Sequence, residues 1–322
     1  MADDAAGDGD LTLGGLGEFA VIERLIDAGV QPASVLVGPG DDAALLAVLD
    51  GRALVSTDML VEGRHFRLDW SSPHDVGRKA IAQNAADIEA MGGRCTGFVV
   101  AFGAPADTLA DRVTELSAGM WAEAARCGAP IIGGDLVRSP QWVISVTVLG
   151  ELDGRAPVRL DGARAGDVVA IAGGLGASAA GYGLLAADLG GFPELVARHR
   201  VPEPPYGQGR AAADAGATAM TDVSDGLIAD LRHIAEASGV GIDLSTAGLA
   251  DDHDAVAGAA VALGVDPWDW VLGGGEDHAL VACFPGAVPP GWRVIGVVTD
   301  GPVGAHVYGA EWSGCAGWDS FN

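Results

Sequence analysis

The sequence predicts a protein of the α/β (α+β) class that folds as two domains. Its 322 residues, of which 49% are hydrophobic and 19% charged, can bury more than one core. Strand-like and helix-like segments alternate along the chain instead of collecting in separate blocks, which is typical of this class. A turn-rich stretch at residues 152–166 divides these segments into two halves.

In the first half, short β-branched or apolar runs predict strands, and apolar residues at helical spacing predict helices. Ser72 and Pro73 provide the N-cap and the first residue of one helix, and Gly92-Gly93 ends it. An earlier helix ends at Gly29 for the same reason. We expect strands at residues 35–37, 53–56, 99–102, 130–132 and 142–149, and helices at residues 18–28, 72–91 and 109–126.

The second half restarts with a strand at residues 168–172, which leads into a glycine-rich run at residues 173–181. The run does not match the G-x-G-x-x-G spacing of a dinucleotide site well. A phosphate-facing loop is the alternative, because the dipole of the helix that follows favours an anion at its N-terminus. We expect further helices at residues 177–187, 209–215 and 227–237, and further strands at residues 242–244, 279–284 and 293–298.

The chain is strongly acidic, with a formal net charge of −26 from 44 acidic and 18 basic residues. No basic stripe is available to displace counterions, so nucleic acid is not expected as a partner. The same charge repels ATP, so cations must neutralise any nucleotide site.

The sequence also indicates where the protein works. No apolar run reaches membrane-spanning length, and residues 1–10 lack the basic and apolar regions of a signal peptide. The four cysteines lie far apart, which is typical of reduced thiols. We therefore expect a cytoplasmic protein with no membrane partner.

Five short acidic motifs and a sixth acidic turn are the strongest functional signal. They are Gly40-Asp41-Asp42, Ser56-Thr57-Asp58, Asn84 to Asp87, Gly133-Gly134-Asp135 and Asp222 to Gly226, followed by the turn Gly273 to Asp277. Asp and Gly are common in ordinary turns, but four of the five motifs adjoin a predicted strand, where ligands gather. Carboxylates and hydroxyls are hard oxygen ligands that suit Mg²⁺, which usually bridges a protein to substrate phosphates. The motifs therefore predict a magnesium-dependent phosphate enzyme.

Some of these residues keep a structural alternative. Asp222 and Asp225 are placed to cap the helix that begins at Leu227, a role that can coexist with metal binding. Asp87 lies on a predicted helix and is either a solvated residue or a ligand that points into a cleft. Lys79 is the only lysine, and the P-loop and protein-kinase motifs are missing. The chain is therefore neither a P-loop kinase nor a protein kinase.

The order of seven motifs resembles that of the thiamine-monophosphate kinase family, which belongs with the AIR synthetase and selenophosphate synthetase superfamily. The motifs are GDDAALL (40–46), STDMLVEGRHF (56–66), NAADIEAMGG (84–93), IIGGD (131–135), GRAPVR (154–159), DVSDGLIADL (222–231) and GGGED (273–277). The resemblance implies a two-domain AIR-synthetase-like fold. A mobile acidic tail at residues 1–18 precedes an N-terminal domain at 19–151, which binds ATP and Mg²⁺ and whose mixed sheet pairs across a homodimer. An α/β C-terminal domain follows at 152–322.

The resemblance also implies a reaction, the transfer of the γ-phosphoryl group of ATP to thiamine monophosphate with several Mg²⁺ ions. The implied metal ligands are Asp42, Ser56, Thr57, Asp58, Asp87, Asp135, Asp222 and Asp225. Of these, the implied catalytic residues are Asp42, Asp58, Asp87, Asp135 and Asp225. The implied ATP contacts are Gly134, Asp135, Arg159 and Ser224, and the implied thiamine contacts are His65, Glu276 and Trp318. Trp318 and His278 stand where the family usually has Tyr.

Other members of the superfamily are the alternatives, since a selenophosphate synthetase or an amidine-forming ligase would keep the acidic motifs. Selenophosphate synthetases usually carry a reactive Cys or selenocysteine with a Lys in an N-terminal glycine loop. Here the first cysteine is Cys95, and no lysine precedes Lys79. The hydrogenase-maturation relative ends in Cys, whereas this chain ends in Phe321-Asn322. A non-catalytic nucleotide-binding protein is the remaining alternative.

Overall fold

A computed structural model describes residues 11–16, 21–22, 24–25, 31–37, 44–314 and 317. The chain divides into two compact units. The N-terminal unit comprises Met1–Asn84 and Cys95–Glu151, and the C-terminal unit comprises Ala85–Arg94 and Leu152–Asn322. The main division falls between Glu151 and Leu152, and residues 85–94 are counted with the C-terminal unit, which the sequence does not indicate.

The N-terminal unit contains a mixed sheet, as predicted. Its strands run in the order β3-β6-β4-β5, with β3 and β6 antiparallel and β4 and β5 parallel. A separate antiparallel pair joins β1 to β2. The strands are β1 Val35–Val37, β2 Leu45–Leu46, β3 Leu54–Val61, β4 Arg94–Ala104, β5 Ile131–Arg138 and β6 Val143–Glu151.

Two acidic motifs lie inside strands, which corrects the prediction that they follow strands at 53–56 and 130–132. Ser56-Thr57-Asp58 lies within β3, and Gly134-Asp135 lies within β5. Asp58 pairs with Val146, and Asp135 pairs with Ala101. The turn preference of Gly and Asp is overridden here because the neighbouring strand satisfies the main-chain groups.

Helices α1 Leu13–Leu16, α2 Pro73–Ala90 and α3 Ala110–Cys127 belong to this part of the chain, and the described residues among 21–25 are also helical. Helix α2 begins with a capping box: the Asp75 N–H donates to Ser72 Oγ at 3.1 Å, and the Ser72 N–H donates to Asp75 Oδ2 at 3.2 Å. Glycine lets α2 and α3 touch, because a Cβ at Gly119 would lie 2.0 Å from the His74 carbonyl oxygen.

The C-terminal unit is a seven-stranded sheet with helices, in the strand order β13-β12-β9-β11-β7-β10-β8. Its strands are β7 Val168–Ala172, β8 Ala219–Asp222, β9 Gly241–Leu244, β10 Leu280–Phe284, β11 Arg293–Thr299, β12 Gly304–Val307 and β13 Ala310–Glu311. Its α-helices are α4 Ala177–Ala186, α5 Pro193–Arg200, α6 Gln208–Asp214, α7 Leu227–Ser238, α8 Ala250–Leu263 and α9 Pro267–Gly273. Short 3₁₀ helices occupy Leu160–Gly162 and Thr246–Leu249.

The central strands of this sheet are buried on both faces. In β7, Val169 and Ile171 pack into one apolar cluster, and Ala170 and Ala172 pack into a second cluster. The side chains of strand β10 also alternate between these two clusters. Two covered faces are typical of an α/β domain, so the predicted fold class is confirmed. None of the helices in the described part of the chain is long and apolar enough to cross a membrane.

Candidate functional site

The motif Ser56-Thr57-Asp58 lies on β3, an edge strand, and is divided between the two faces of the sheet. Side chains alternate along a strand, so Ser56 and Asp58 share one face. Asp58 is paired with the buried Val146, so this is the core-facing side. Thr57 is on the exposed face, and its hydroxyl donates to the Val146 carbonyl oxygen at 2.9 Å. Ser56 and Asp58 are therefore placed to act together, and Thr57 is not placed with them.

Asn84 ties this motif to helix α2. The buried Asn84 side chain accepts the Asp58 N–H on Oδ1 at 3.1 Å and donates from Nδ2 to the Ala80 carbonyl oxygen at 2.9 Å. Both ends of the amide are thus fixed, which holds the main chain of Asp58. The sequence gives no signal for this contact between residues 26 positions apart. Asp87 lies further along α2 and is half-buried.

Asp135 lies on the opposite edge of the same sheet from Asp58. Two strands separate β5 from β3, which corresponds to roughly 14 Å at the usual strand spacing. Asp135 and its partner Ala101 are exposed, whereas Asp58 faces the core. The sheet of one chain therefore does not bring Asp58 and Asp135 together. Gly134 has no room for a side chain, because a Cβ there would lie 2.2 Å from the Val100 carbonyl oxygen.

In the C-terminal unit, the motif Asp222 to Gly226 and the turn Gly273 to Asp277 lie side by side. The Glu276 N–H donates to the Ser224 carbonyl oxygen at 2.8 Å. Gly275 must be glycine, since a Cβ there would lie 2.5 Å from the same oxygen. The structure thus brings together four residues that the resemblance places at the site, namely Asp222, Ser224, Asp225 and Glu276.

Asp230 is a buried carboxylate at this position that the sequence reasoning missed. Its Oδ2 accepts the N–H groups of Asp225 and Gly226, each at 3.1 Å, so it fixes the loop that carries Asp225. Burial, followed by the negative charge of Asp222 and that of Asp225, raises the pKa of Asp230 to about 7. The carboxyl groups of Asp222, Asp225 and Asp230 thus lie close enough for their charges to interact.

One group of side chains among the described residues has the spacing of a metal site. Asp225, Asp230 and His233 each offer one ligand atom, and these atoms all lie within 4.8 Å of one another. Two of the three are carboxylates, which suit a hard cation such as Mg²⁺.

The glycine-rich run is not available as a phosphate-facing loop, which corrects that expectation. Gly176 and Ser178 donate their N–H groups to the Asp277 carboxylate at 2.5 and 2.9 Å. Leu175 donates its N–H to Asp252 Oδ1 at 3.0 Å. These are the groups at the start of α4 that a phosphate would need, and the carboxyl groups of Asp277 and Asp252 already occupy them.

The stability of the protein should fall as pH rises towards neutrality because of Asp277. Burial raises the pKa of its carboxyl from 3.8 to about 7 in the folded state. Between these values the folded chain binds a proton that the unfolded chain has released, so stability is lost as pH rises, by roughly 1–1.5 kcal/mol per pH unit for this group. Asp277→Asn should flatten this slope in urea unfolding measured from pH 4.5 to 7.5. An unchanged slope, or equal flattening by the exposed Asp251→Asn control, would contradict this assignment.

His65 lies in the turn after β3 with one ring nitrogen committed. The Val61 N–H donates to His65 Nδ1 at 3.0 Å, and Lys79 Nζ donates to the His65 carbonyl oxygen at 3.1 Å. A nitrogen that accepts a hydrogen bond carries no proton, so this arrangement has its ring proton on Nε2.

Arg159 and Glu276 are also held by their neighbours. The Arg159 side chain is 65% exposed and donates to Asp161 Oδ2 at 2.6 Å. Exposed ion pairs contribute only about 0–1 kcal/mol, so Arg159 can exchange Asp161 for a phosphate at little cost. Glu276 has a left-handed backbone, with φ +63°, and its Oε2 lies 3.7 Å from His199 Nδ1.

Two of the implied site residues, Asp42 and Trp318, lie outside the described residues, as do Gly40 and Asp41 of the first motif. Their roles stay predictions.

Comparison with known proteins agrees with the resemblance that the motifs indicate. Residues 40–152 match the model of the family described as AIR synthase related protein, N-terminal domain. A relative from Mycobacterium tuberculosis (strain ATCC 25618 / H37Rv), named thiamine-monophosphate kinase, is 67% identical over 96% of this chain and 93% of its own length.

Solved structures agree. The crystal structure of thiamine-monophosphate kinase from Stenotrophomonas maltophilia K279a has a TM-score of 0.79 and 30% identity, and covers 91% of this chain and 97% of that one. The structure of AaThiL complexed with AMPPCP and TMP has a TM-score of 0.77 and 31% identity, and covers 97% of this chain and 99% of that one.

The two-unit fold, the acidic motifs and the family match define a protein of the AIR synthase related class. Within that class, the relative that is 67% identical over nearly the whole length identifies the family. The chain belongs to the thiamine-monophosphate kinase family.

Proposed function

We propose that this chain transfers the γ-phosphoryl group of ATP to thiamine monophosphate, giving thiamine diphosphate and ADP. The observation that carries the proposal is the 67% identity, over 96% of the chain, with a relative named thiamine-monophosphate kinase. ATP as co-substrate is supported by the similar AaThiL structure, which is complexed with AMPPCP and TMP.

The chemistry of this reaction suits an acidic chain. Thiamine monophosphate is a phosphate monoester whose second pKa of about 6 leaves it largely dianionic at neutral pH. The acceptor therefore needs no general base, and the obstacle is repulsion between two anions. Phosphoryl transfer depends mainly on in-line positioning and on neutralising charge.

The donor set fits Mg²⁺. Asp225 and Asp230 offer carboxylate oxygens within 4.8 Å of each other, and the charge of Asp222 helps to raise the pKa of Asp230, an effect that a cation would offset. We propose Asp42, Ser56, Asp58, Asp87, Asp135, Asp222 and Asp225 as the residues that would hold the ions. Thr57 stays a weaker candidate, because its hydroxyl is directed to the other face of the sheet. Bound Mg²⁺ would neutralise the phosphates of both substrates.

The remaining residues position the two substrates. Gly134 and Ser224 offer main-chain groups to ATP, and Arg159 offers a planar cation to a phosphate. His65 would contact the thiamine moiety, and Glu276 would place a negative charge near its cationic ring. Trp318 would stack on a ring of the substrate, with cation–π attraction to the thiazolium.

A homodimer is part of the proposal. The exposed face of the N-terminal sheet carries large apolar side chains, with Val55 63%, Met59 53% and Val137 54% exposed. Large apolar side chains exposed on one face of a sheet favour an interaction site there. Because one sheet holds Asp58 and Asp135 at opposite edges, a second copy of the chain is also a source for the carboxylates that one protomer cannot bring together.

The double substitution Val55→Asp and Met59→Asp should therefore convert a dimer into a monomer, because it places charge on the apolar face. Sedimentation velocity at micromolar concentration measures this. The control is Val303→Asp, which puts the same charge on a 54% exposed valine of the C-terminal unit and should leave the dimer intact. A wild-type protein that sediments as a monomer would contradict the proposal.

The reaction is tested by ADP release in a coupled assay with thiamine monophosphate, with unphosphorylated thiamine and with no acceptor. We expect ADP only with the monophosphate. ADP release that is the same with and without an acceptor would favour another ATP-dependent enzyme of the superfamily. No ADP release under any of the three conditions would favour a non-catalytic nucleotide-binding protein.

A cytoplasmic location is also proposed. Among the described residues, Cys127 and Cys283 are free thiols, as expected in a reducing compartment.

A further inference from the structure

His278 is held next to the acidic motif in an unfavourable backbone conformation. Its φ is +52°, in the left-handed region that residues other than glycine rarely adopt. Main-chain hydrogen bonds lock it there: the His278 N–H donates to the Val223 carbonyl oxygen at 2.9 Å, and the Val223 N–H donates to the Ala279 carbonyl oxygen at 2.8 Å. The pairing of β8 with β10 thus continues past Asp222 and fixes the backbone position from which the His278 side chain extends.

The ring contacts the carboxylate of Asp222. His278 Nδ1 lies 3.0 Å from Asp222 Oδ2, and both residues are buried, with exposures of 6% and 7%. A carboxylate oxygen accepts, so Nδ1–H donates. This bond fixes the rotation of the carboxyl group and leaves its second oxygen, Oδ1, for another partner.

We propose that His278 is a positioning residue that orients the Asp222 carboxylate for Mg²⁺. This inference rests on the proposed magnesium-dependent function. A hydrogen bond that orients a ligating carboxylate typically changes metal affinity by about 10- to 100-fold when it is lost. The strained backbone agrees with this role, because a glycine would fit the turn better but would supply no donor.

The test compares three substitutions of His278. His278→Gly removes the donor and relieves the backbone, and His278→Phe removes the donor but keeps the volume of a ring. His278→Asn keeps an N–H donor near the position of Nδ1 and tolerates the left-handed region. Tyr308→Gly is the matched control, since Tyr308 is an exposed residue of the same unit with φ +51°.

The measurement is the Mg²⁺ concentration that raises the melting temperature by a fixed increment, with AMPPCP at a fixed saturating concentration. Native-state binding raises stability by RT ln(1 + L/Kd), where L is the free ligand concentration, so the concentration needed for a given increment reports affinity without turnover. We expect His278→Gly and His278→Phe to raise this concentration about 10- to 100-fold, and His278→Asn and Tyr308→Gly to keep it within about 3-fold.

The outcomes separate the inference from the proposed function. If wild type responds to Mg²⁺ and both donor-free variants respond at the same concentration, the inference is overturned and the function stands. An equal shift in His278→Asn would also overturn it, because a donor would then not be what matters. A wild-type protein whose melting temperature does not change with Mg²⁺ would instead contradict the magnesium-dependent function on which the inference rests.

Discussion

Asp58→Asn and Asp87→Asn should each reduce turnover about 100-fold or more while the protein stays folded. Asn keeps one side-chain oxygen but removes the charge that Mg²⁺ requires, and losing one preorganised electrostatic contact typically costs about 10²–10³ in rate. The fold should tolerate both changes, because neither side chain is fully buried and the main chain of Asp58 is held by Asn84. A coupled ADP assay gives the rate, and circular dichroism with thermal unfolding checks the fold.

Asp107→Asn is the matched control for these two variants. It makes the same chemical change at an exposed residue that has no proposed role, so it should turn over like wild type. Turnover near the wild-type level in Asp58→Asn or Asp87→Asn would remove that residue from the metal site.

Gly134→Ala should strongly destabilise the N-terminal unit. The added Cβ would lie 2.2 Å from the Val100 carbonyl oxygen, which belongs to the paired strand β4. The backbone of one strand must shift, and overpacking of this kind typically costs about 1–3 kcal/mol or more. Chemical denaturation should show this loss of stability, and turnover should fall with it because Asp135 is the next residue on β5.

The neighbouring Gly133→Ala separates this clash from a general need for glycine in the motif. A Cβ at Gly133 would have no other atom within 4 Å. Gly133→Ala should therefore keep the stability of wild type. Equal stability of both variants would show that the close approach of β4 and β5 is not what requires Gly134.

Local signals in the sequence predict much of the fold. The capping residues Ser72 and Pro73 give the start of α2, and the strand at residues 168–172 has the predicted bounds. The helices Pro193–Arg200, Ala250–Leu263 and Pro267–Gly273 and the strands Ala219–Asp222, Gly304–Val307 and Ala310–Glu311 are not predicted. The strands among them are only 2 to 4 residues long, so they depend on pairing with distant strands that local patterns do not reveal.

The candidate site is predictable as a set of motifs but not as an arrangement. The motif resemblance indicates Asp222, Ser224 and Glu276, and the structure places them side by side. It assigns no role to Asp230 or Asp277, although both lie within its motifs, because their roles come from burial and from N–H groups elsewhere in the loops. Nor does it indicate that the sheet of one chain separates Asp58 from Asp135, since that depends on strand order.

The most direct test of the account is the fate of the γ-phosphate. The protein is incubated with Mg²⁺, thiamine monophosphate and ATP labelled in the γ-phosphate, and the products are separated and counted. We predict one labelled thiamine diphosphate for each ADP, with no product when EDTA removes the metal. Label that appears as free phosphate with no thiamine diphosphate would contradict direct phosphoryl transfer to thiamine monophosphate.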